Sequence, residues 1–105
     1  MMFGWFDYKE VDALGKSLAQ ELAQRIPPAS LVERHSWRPK DQARLVNALR
    51  DVFLKLQEFH RERQPGVLKR ARLSKTFQDE LVALGYKEDF VREVTLGAAE
   101  RLTQA

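Results

Sequence analysis

Proline punctuation does most to limit what this chain can become. Pro27-Pro28, Pro39 and Pro65 interrupt an otherwise continuous pattern in which apolar residues recur at steps of three and four. That is the helical period, and the alternation a strand needs is almost nowhere present. Proline lacks a backbone N–H and disfavours helix in the residue before it, so it stands at helix starts and in breaks. The pattern predicts an all-α fold: one domain over 1–105, roughly a four-helix antiparallel bundle, preceded by a short aromatic arm at 1–6. The helices are expected at about 7–26, 39–63, 67–84 and 87–103.

Each stretch carries its own signals. In the first, Asp7 and Glu10 are spaced as a capping box. Tyr8, Val11, Leu14, Leu18 and Leu22 form its apolar stripe, and Asp12–Lys16 and Glu21–Arg25 are favourable i,i+4 pairs. A connector follows over 29–38, with Ser30–Glu33 as a helical turn and Leu31, Val32 and Trp37 packing down. Pro39 suits the first position of the second helix. Its stripe is wide: Leu45, Val46, Leu49, Val52, Phe53, Leu56 and Phe59. Leu54 lies off that stripe and is a candidate contact for another element or a partner. The third helix has a thinner stripe of Val67, Ala71, Ser74, Phe77, Leu81 and Leu84, with a kink or late start near Ser74. Gly85 is placed as a left-handed C-cap. Phe90, Val91, Val94, Ala98 and Leu102 line the fourth helix, where Gly97 either permits a close approach or is a weak point. Short connections at Pro65-Gly66 and Gly85-Tyr86 predict antiparallel neighbours.

Charge is unevenly distributed. The net formal charge is −1 over 1–30, +7 over 31–75 and −3 over 76–105, giving the overall +3. The densest stretch holds Arg61, Arg63, Lys69, Arg70, Arg72 and Lys75 against one acid, Glu62. Such a concentration can attract an anionic partner. Arg61 and Arg63 also suit the C-terminal end of a helix, whereas Lys69 and Arg70 sit at a helix start, where the dipole prefers anions. Arg34, Arg38, Lys40 and Arg44 extend the patch if the fold brings them near. The competing expectation is an ordinary solvated face, or pairing with Asp79, Glu80, Glu93 or Glu100 of the same molecule or of a second copy.

Little points to catalysis. The chain has no cysteine, which excludes disulfides, thiol chemistry and Cys-ligated metals. His35 and His60 fall in no metal-binding spacing, and the nearness of Ser36 and Asp41 to His35 does not make a triad, which is defined in space. The adjacent acids Asp79-Glu80 and Glu88-Asp89 point about 100° apart on a helix, a poor arrangement for an acid/base pair. The glycines are scattered singly, so no phosphate loop is present. A turn as short as Leu84-Gly85-Tyr86 occurs in helix-turn-helix proteins, but the helix after it begins with Glu88, Asp89 and Glu93, which phosphates repel. No catalytic residue, metal, cofactor or small-molecule substrate is expected. No apolar run approaches the ~20 residues of a membrane span. The apolar start Phe3, Trp5, Phe6 lacks the basic flank of a secretory signal. With the missing cysteines, this fits the cytoplasm.

The sequence therefore reads as a small non-catalytic interaction or regulatory module that binds a protein partner or self-associates. The basic segment is its partner- or anion-binding candidate. Phe3, Trp5 and Phe6 are its hydrophobic-contact candidates, unless they close one end of the core. The alternative is a nucleic-acid-binding accessory protein that uses 61–75 on the phosphate backbone.

Overall fold

Every ordered element in a computed structural model of the chain, which describes residues 8–103, is helical. Helix α1 spans Tyr8–Arg25, a 3₁₀ segment spans Pro28–Ser36, and α2 (Pro39–Arg63), α3 (Val67–Ala83) and α4 (Glu88–Thr103) follow. Asp7 and the arm residues Phe3, Trp5 and Phe6 lie outside the described residues.

The helix boundaries have local causes. Pro39 occupies the first turn of α2, and the Asp41 carboxylate accepts the Arg38 N–H at 3.0 Å. That contact satisfies an amide near the helix start. Helix α2 ends at Gln64, held in the left-handed region at φ 46°, ψ 58°, with its N–H donating to the His60 carbonyl. Pro65 bars residue 64 from continuing the helix, so the turn is made at a non-glycine position at a cost of about 1–2 kcal/mol. Helix α3 stops at Gly85, whose φ of 103° lets the Tyr86 N–H reach back to the Leu81 carbonyl. This bond pattern satisfies the last carbonyls of the helix.

The connector is more regular than a single turn. Its 3₁₀ segment runs for nine residues and bends at Glu33 (φ −103°, ψ 25°). Trp37 folds back over it, with Nε1 donating to the Ser30 carbonyl and Arg34 above the ring at 5.7 Å. Leu31 and Trp37 pack on the core, whereas Val32 stays exposed.

One apolar cluster is shared by all four α-helices. It contains Val11, Leu18, Ala19, Leu22 and Ile26, then Leu45, Ala48, Val52 and Leu56, then Leu73, Phe77 and Leu81, then Tyr86, Phe90, Val91, Val94, Ala98 and Leu102. No polar or charged residue is buried among the described residues. In α3 the buried line differs from the expected stripe. Leu73 is wholly buried, while Val67 and Ala71 face outward. The helix is also continuous through Ser74. Phe77 can be reached in helical steps from either 73 or 74, so periodicity admits both phases. The position of α1 selects the first.

The packing order also departs from a bundle of antiparallel sequence neighbours. The closest partner of α3 is α1, and α3 also packs on α4, while α2 packs on α4 and α1. Despite their short connection, α2 and α3 are not among the extensively packed pairs. Directions can be read from side-chain pairs. Arg25–Asp51, Glu21–Lys55 and Glu10–Arg63 step in opposite senses along α1 and α2. Asp12–Arg72, Gly15–Thr76 and Gln20–Glu80 step in the same sense along α1 and α3. The most closely packed pair is therefore parallel. Gly15 explains the close approach: a Cβ there would lie 3.1 Å from the Phe77 amide nitrogen and 3.1 Å from the Thr76 Cβ.

Tyr86 fastens the α3–α4 turn to the end of α1. Its hydroxyl donates to the Ile26 carbonyl and its ring stacks on Phe90 with centroids 5.0 Å apart. Burial pushes the hydroxyl pKa up to about 12, so it remains a neutral donor.

Candidate functional site

The basic segment straddles the α2–α3 junction, and most of its cations turn inward to other helices. Arg63 makes a two-pronged pair with Glu10, at 2.5 and 3.1 Å. Arg72 does the same with Asp12, at 2.9 and 2.8 Å, and Thr76 adds a hydroxyl donor to the same carboxylate at 2.8 Å. The bonds from Arg72 and Thr76 hold the Asp12 carboxyl down at about 2, and the Arg72 guanidinium is raised in return. Lys75 pairs with Asp79 one turn along its own helix. Lys69 and Arg72 approach the Tyr8 ring at 5.9 and 5.4 Å, within the range of a cation–π contact.

Arg70 behaves differently. Its Nη1 donates to the Leu102 carbonyl at 3.1 Å, capping the end of α4. Arg61 is exposed and joins no carboxylate among the described residues. The six predicted cations thus differ in their pairing. Arg63, Arg72 and Lys75 are neutralised locally, whereas Arg61 and Arg70 line a common cavity with His60, Gln64 and Pro65.

The expected pairs within α1 are replaced by pairs between helices. Asp12 turns to Arg72 rather than Lys16, Glu21 to Lys55, and Arg25 to Asp51. Exposed pairs of this kind contribute little to stability, but they fix how helices lie against one another. The extension through Arg34, Arg38, Lys40 and Arg44 lies around the other end of α2, about 30 Å from His60 at 1.5 Å per residue.

No triad assembles at His35. The Ser36 hydroxyl donates to the Glu33 carbonyl, and Asp41 holds the Arg38 amide and Arg44. Among the described residues no three acidic or histidine side chains gather as a metal site, and no helix is long and apolar enough to cross a membrane.

Apolar side chains form the other candidate surface. Val67 and Leu68, consecutive on the first turn of α3, are 69% and 75% exposed. Tyr8 is also exposed and meets the same helix through Lys69 and Arg72. A groove of about 420 Å³ runs beside them between α3 and α4, bounded by Val67, Ala71, Ala99 and Leu102. Leu54 is 54% exposed on the outside of α2, next to a shallower groove with Val46 and Phe53. The Val67–Leu68 surface was missed in the sequence because Val67 was assigned to the core stripe. Three comparisons, with protein-family models, curated proteins and solved structures, give no match.

Proposed function

We propose that this chain is a non-catalytic helical interaction module that binds a protein partner or self-associates through the end carrying Tyr8, Val67 and Leu68. The carrying observation is the exposure of Val67 and Leu68, two consecutive large apolar side chains on the first turn of α3. Placing two branched apolar side chains in water forgoes about 1.5–3 kcal/mol each relative to full burial. A partner surface would recover part of it. In this reading the helices are the scaffold that presents the contact. The double substitution Val67→Glu, Leu68→Glu tests it. Sedimentation of wild type at rising concentration should show self-association, or affinity capture should recover a stoichiometric protein, and the variant should lose that contact with its melting temperature unchanged. A wild type that stays monomeric and captures nothing overturns the reading.

A second reading keeps the basic segment as a contact to the phosphate backbone of a nucleic acid. Arg61, exposed and without a carboxylate partner, is the observation in its favour. Fluorescence anisotropy with short labelled DNA and RNA tests it. Saturable binding that weakens steeply with salt supports it through counterion release, and no binding at low salt removes it.

A further inference from the structure

Helices α2 and α4 lie side by side and expose apolar, basic and acidic side chains along their seam. Val46 and Leu54 on α2 and Leu96 on α4 are 44%, 54% and 61% exposed. Arg50 is exposed on α2, and Glu93 and Glu100 on α4. Among the described residues neither these three charged groups nor Arg101 joins an ion pair. The seams of α1 differ, since Glu10, Asp12, Glu21 and Arg25 each reach across to a neighbouring helix.

The helical period puts Arg50, Phe53, Leu54 and Gln57 on one side of α2, and Glu93, Leu96, Gly97 and Glu100 on one side of α4. A groove of about 350 Å³ runs along the seam, bounded by Val46, Phe53, Leu54 and Arg101, and no carboxylate lines it. The two helices run in the same direction. Helix α2 opposes α1, α3 runs with α1, and the start of α3 is bound to the end of α4 through Arg70 and the Leu102 carbonyl. The close approach of Phe53 to Gly97 sets their relative height. From that level, at ~1.5 Å per residue, Arg50 and Glu93 lie about 4.5 and 6 Å toward the N-termini, Leu54 and Leu96 lie within about 1.5 Å, and Gln57 and Glu100 lie about 6 and 4.5 Å toward the C-termini. A donor on α2 is thus level with each acid on α4, and leucine is level with leucine. A two-fold rotation about an axis parallel to the helices keeps every height and exchanges their sides, so it lays α2 of one copy over α4 of another. The face is therefore complementary to itself, as a two-fold interface requires.

We propose that a second copy of this chain docks on the α2–α4 face as a two-fold dimer, with Arg50 of each copy on Glu93 of the other, Leu54 on Leu96, and Gln57 on Glu100. This surface is separate from the Val67–Leu68 end and does not rest on that reading. Helix α4 has 16 residues. A face ~24 Å long and two helices wide covers ~500 Å² per copy, ~1,000 Å² in total, which is the low end of specific interfaces. The dimer is accordingly weak, with a Kd on the order of 100 μM.

The test is sedimentation equilibrium of the full chain up to ~1 mM, at about 50 mM and about 500 mM salt. The expected result is a monomer–dimer equilibrium that salt weakens, because the charged pairs are screened. Leu54→Glu, at an exposed position, sets a carboxylate against Glu93 and Glu100 of the other copy and should weaken the dimer about tenfold or more at an unchanged melting temperature. Arg50→Glu should act in the same direction, and adding Glu93→Arg to the same chain should restore the dimer to within about threefold of wild type. Val67→Glu with Leu68→Glu should leave this dimer unchanged. A chain that stays monomeric at the highest concentration in low salt, a dimer indifferent to Leu54→Glu, or a charge reversal that Glu93→Arg does not rescue overturns the proposal. A dimer that Val67→Glu with Leu68→Glu abolishes and Leu54→Glu spares also overturns it, and places self-association at the other end.

Discussion

Two helix seams are each closed over a glycine, but they are closed by different neighbours. At the α1–α3 seam, Gly15 faces the Phe77 backbone nitrogen and the Cβ of a branched threonine, both at 3.1 Å. At the α2–α4 seam, a Cβ on Gly97 would meet the tip of the Phe53 ring at 2.8 Å. The second contact is shorter, yet it is the more forgiving. A half-buried ring can swing about its χ angles, whereas a backbone amide and a Cβ move only if the helix moves. The first seam is also crossed by Asp12 with Arg72 and Thr76. The second carries Arg101 over the face of Phe53 at 5.3 Å. A short contact therefore measures tightness poorly unless the mobility of the facing atom is considered.

Substitutions can break this comparison. Gly15→Ala should have the largest effect. Overpacking of about 1–3 kcal/mol exceeds the gain of roughly 1 kcal/mol in helix propensity, so denaturant unfolding should show a net loss. An unchanged midpoint would mean that the α1–α3 seam is as yielding as its counterpart. The next test is pH. The Asp12 pKa is lowered to about 2 from an ordinary 3.8. The unfolded chain then takes up the proton first as pH falls. The stability contributed by this carboxylate is complete above about pH 4 and is lost toward about pH 2. Asp12→Asn should reduce that acid sensitivity, measured by chemical unfolding between pH 5 and pH 2, relative to wild type. A profile identical to wild type would remove Asp12 from the seam's energetics. The smallest effect is expected for Gly97→Ala. Ring displacement and the propensity gain oppose each other, leaving stability within about 1 kcal/mol of wild type. A loss larger than that of Gly15→Ala would reverse the ranking of the two seams.

Sequence reading succeeded where one helix face answers to one core. In α4, Phe90, Val91, Val94, Ala98 and Leu102 are the predicted stripe and are all buried. The Gly85 turn was equally legible, because a left-handed cap is a local requirement. Reading failed where the answer lay in a distant helix. Leu73 rather than Ser74 faces the core because α1 packs parallel on α3 over Gly15, a relation no local period encodes. The ion pairs of the basic segment were hidden in the same way. Glu10 and Asp12 were legible as helix-surface acids, but their partners lie 53 and 60 residues on. Composition shows an excess of cations. Packing order decides which of them are neutralised, and it separates Arg61 and Arg70 from Arg63 and Arg72.

The parallel pairing of α1 with α3 has a consequence for synthesis on the ribosome. Asp12 waits for Thr76, which is 64 residues later in the chain. At about 5–20 residues per second, α1 is made on the order of 3–13 s before its main partner exists. During that interval the apolar face of Val11, Leu18 and Leu22 can pack only on α2, through the thinner of its two contacts. The covering of α1 is thereby deferred until α3 has left the exit tunnel, and a nascent chain stalled before that point would present a half-covered first helix to chaperones.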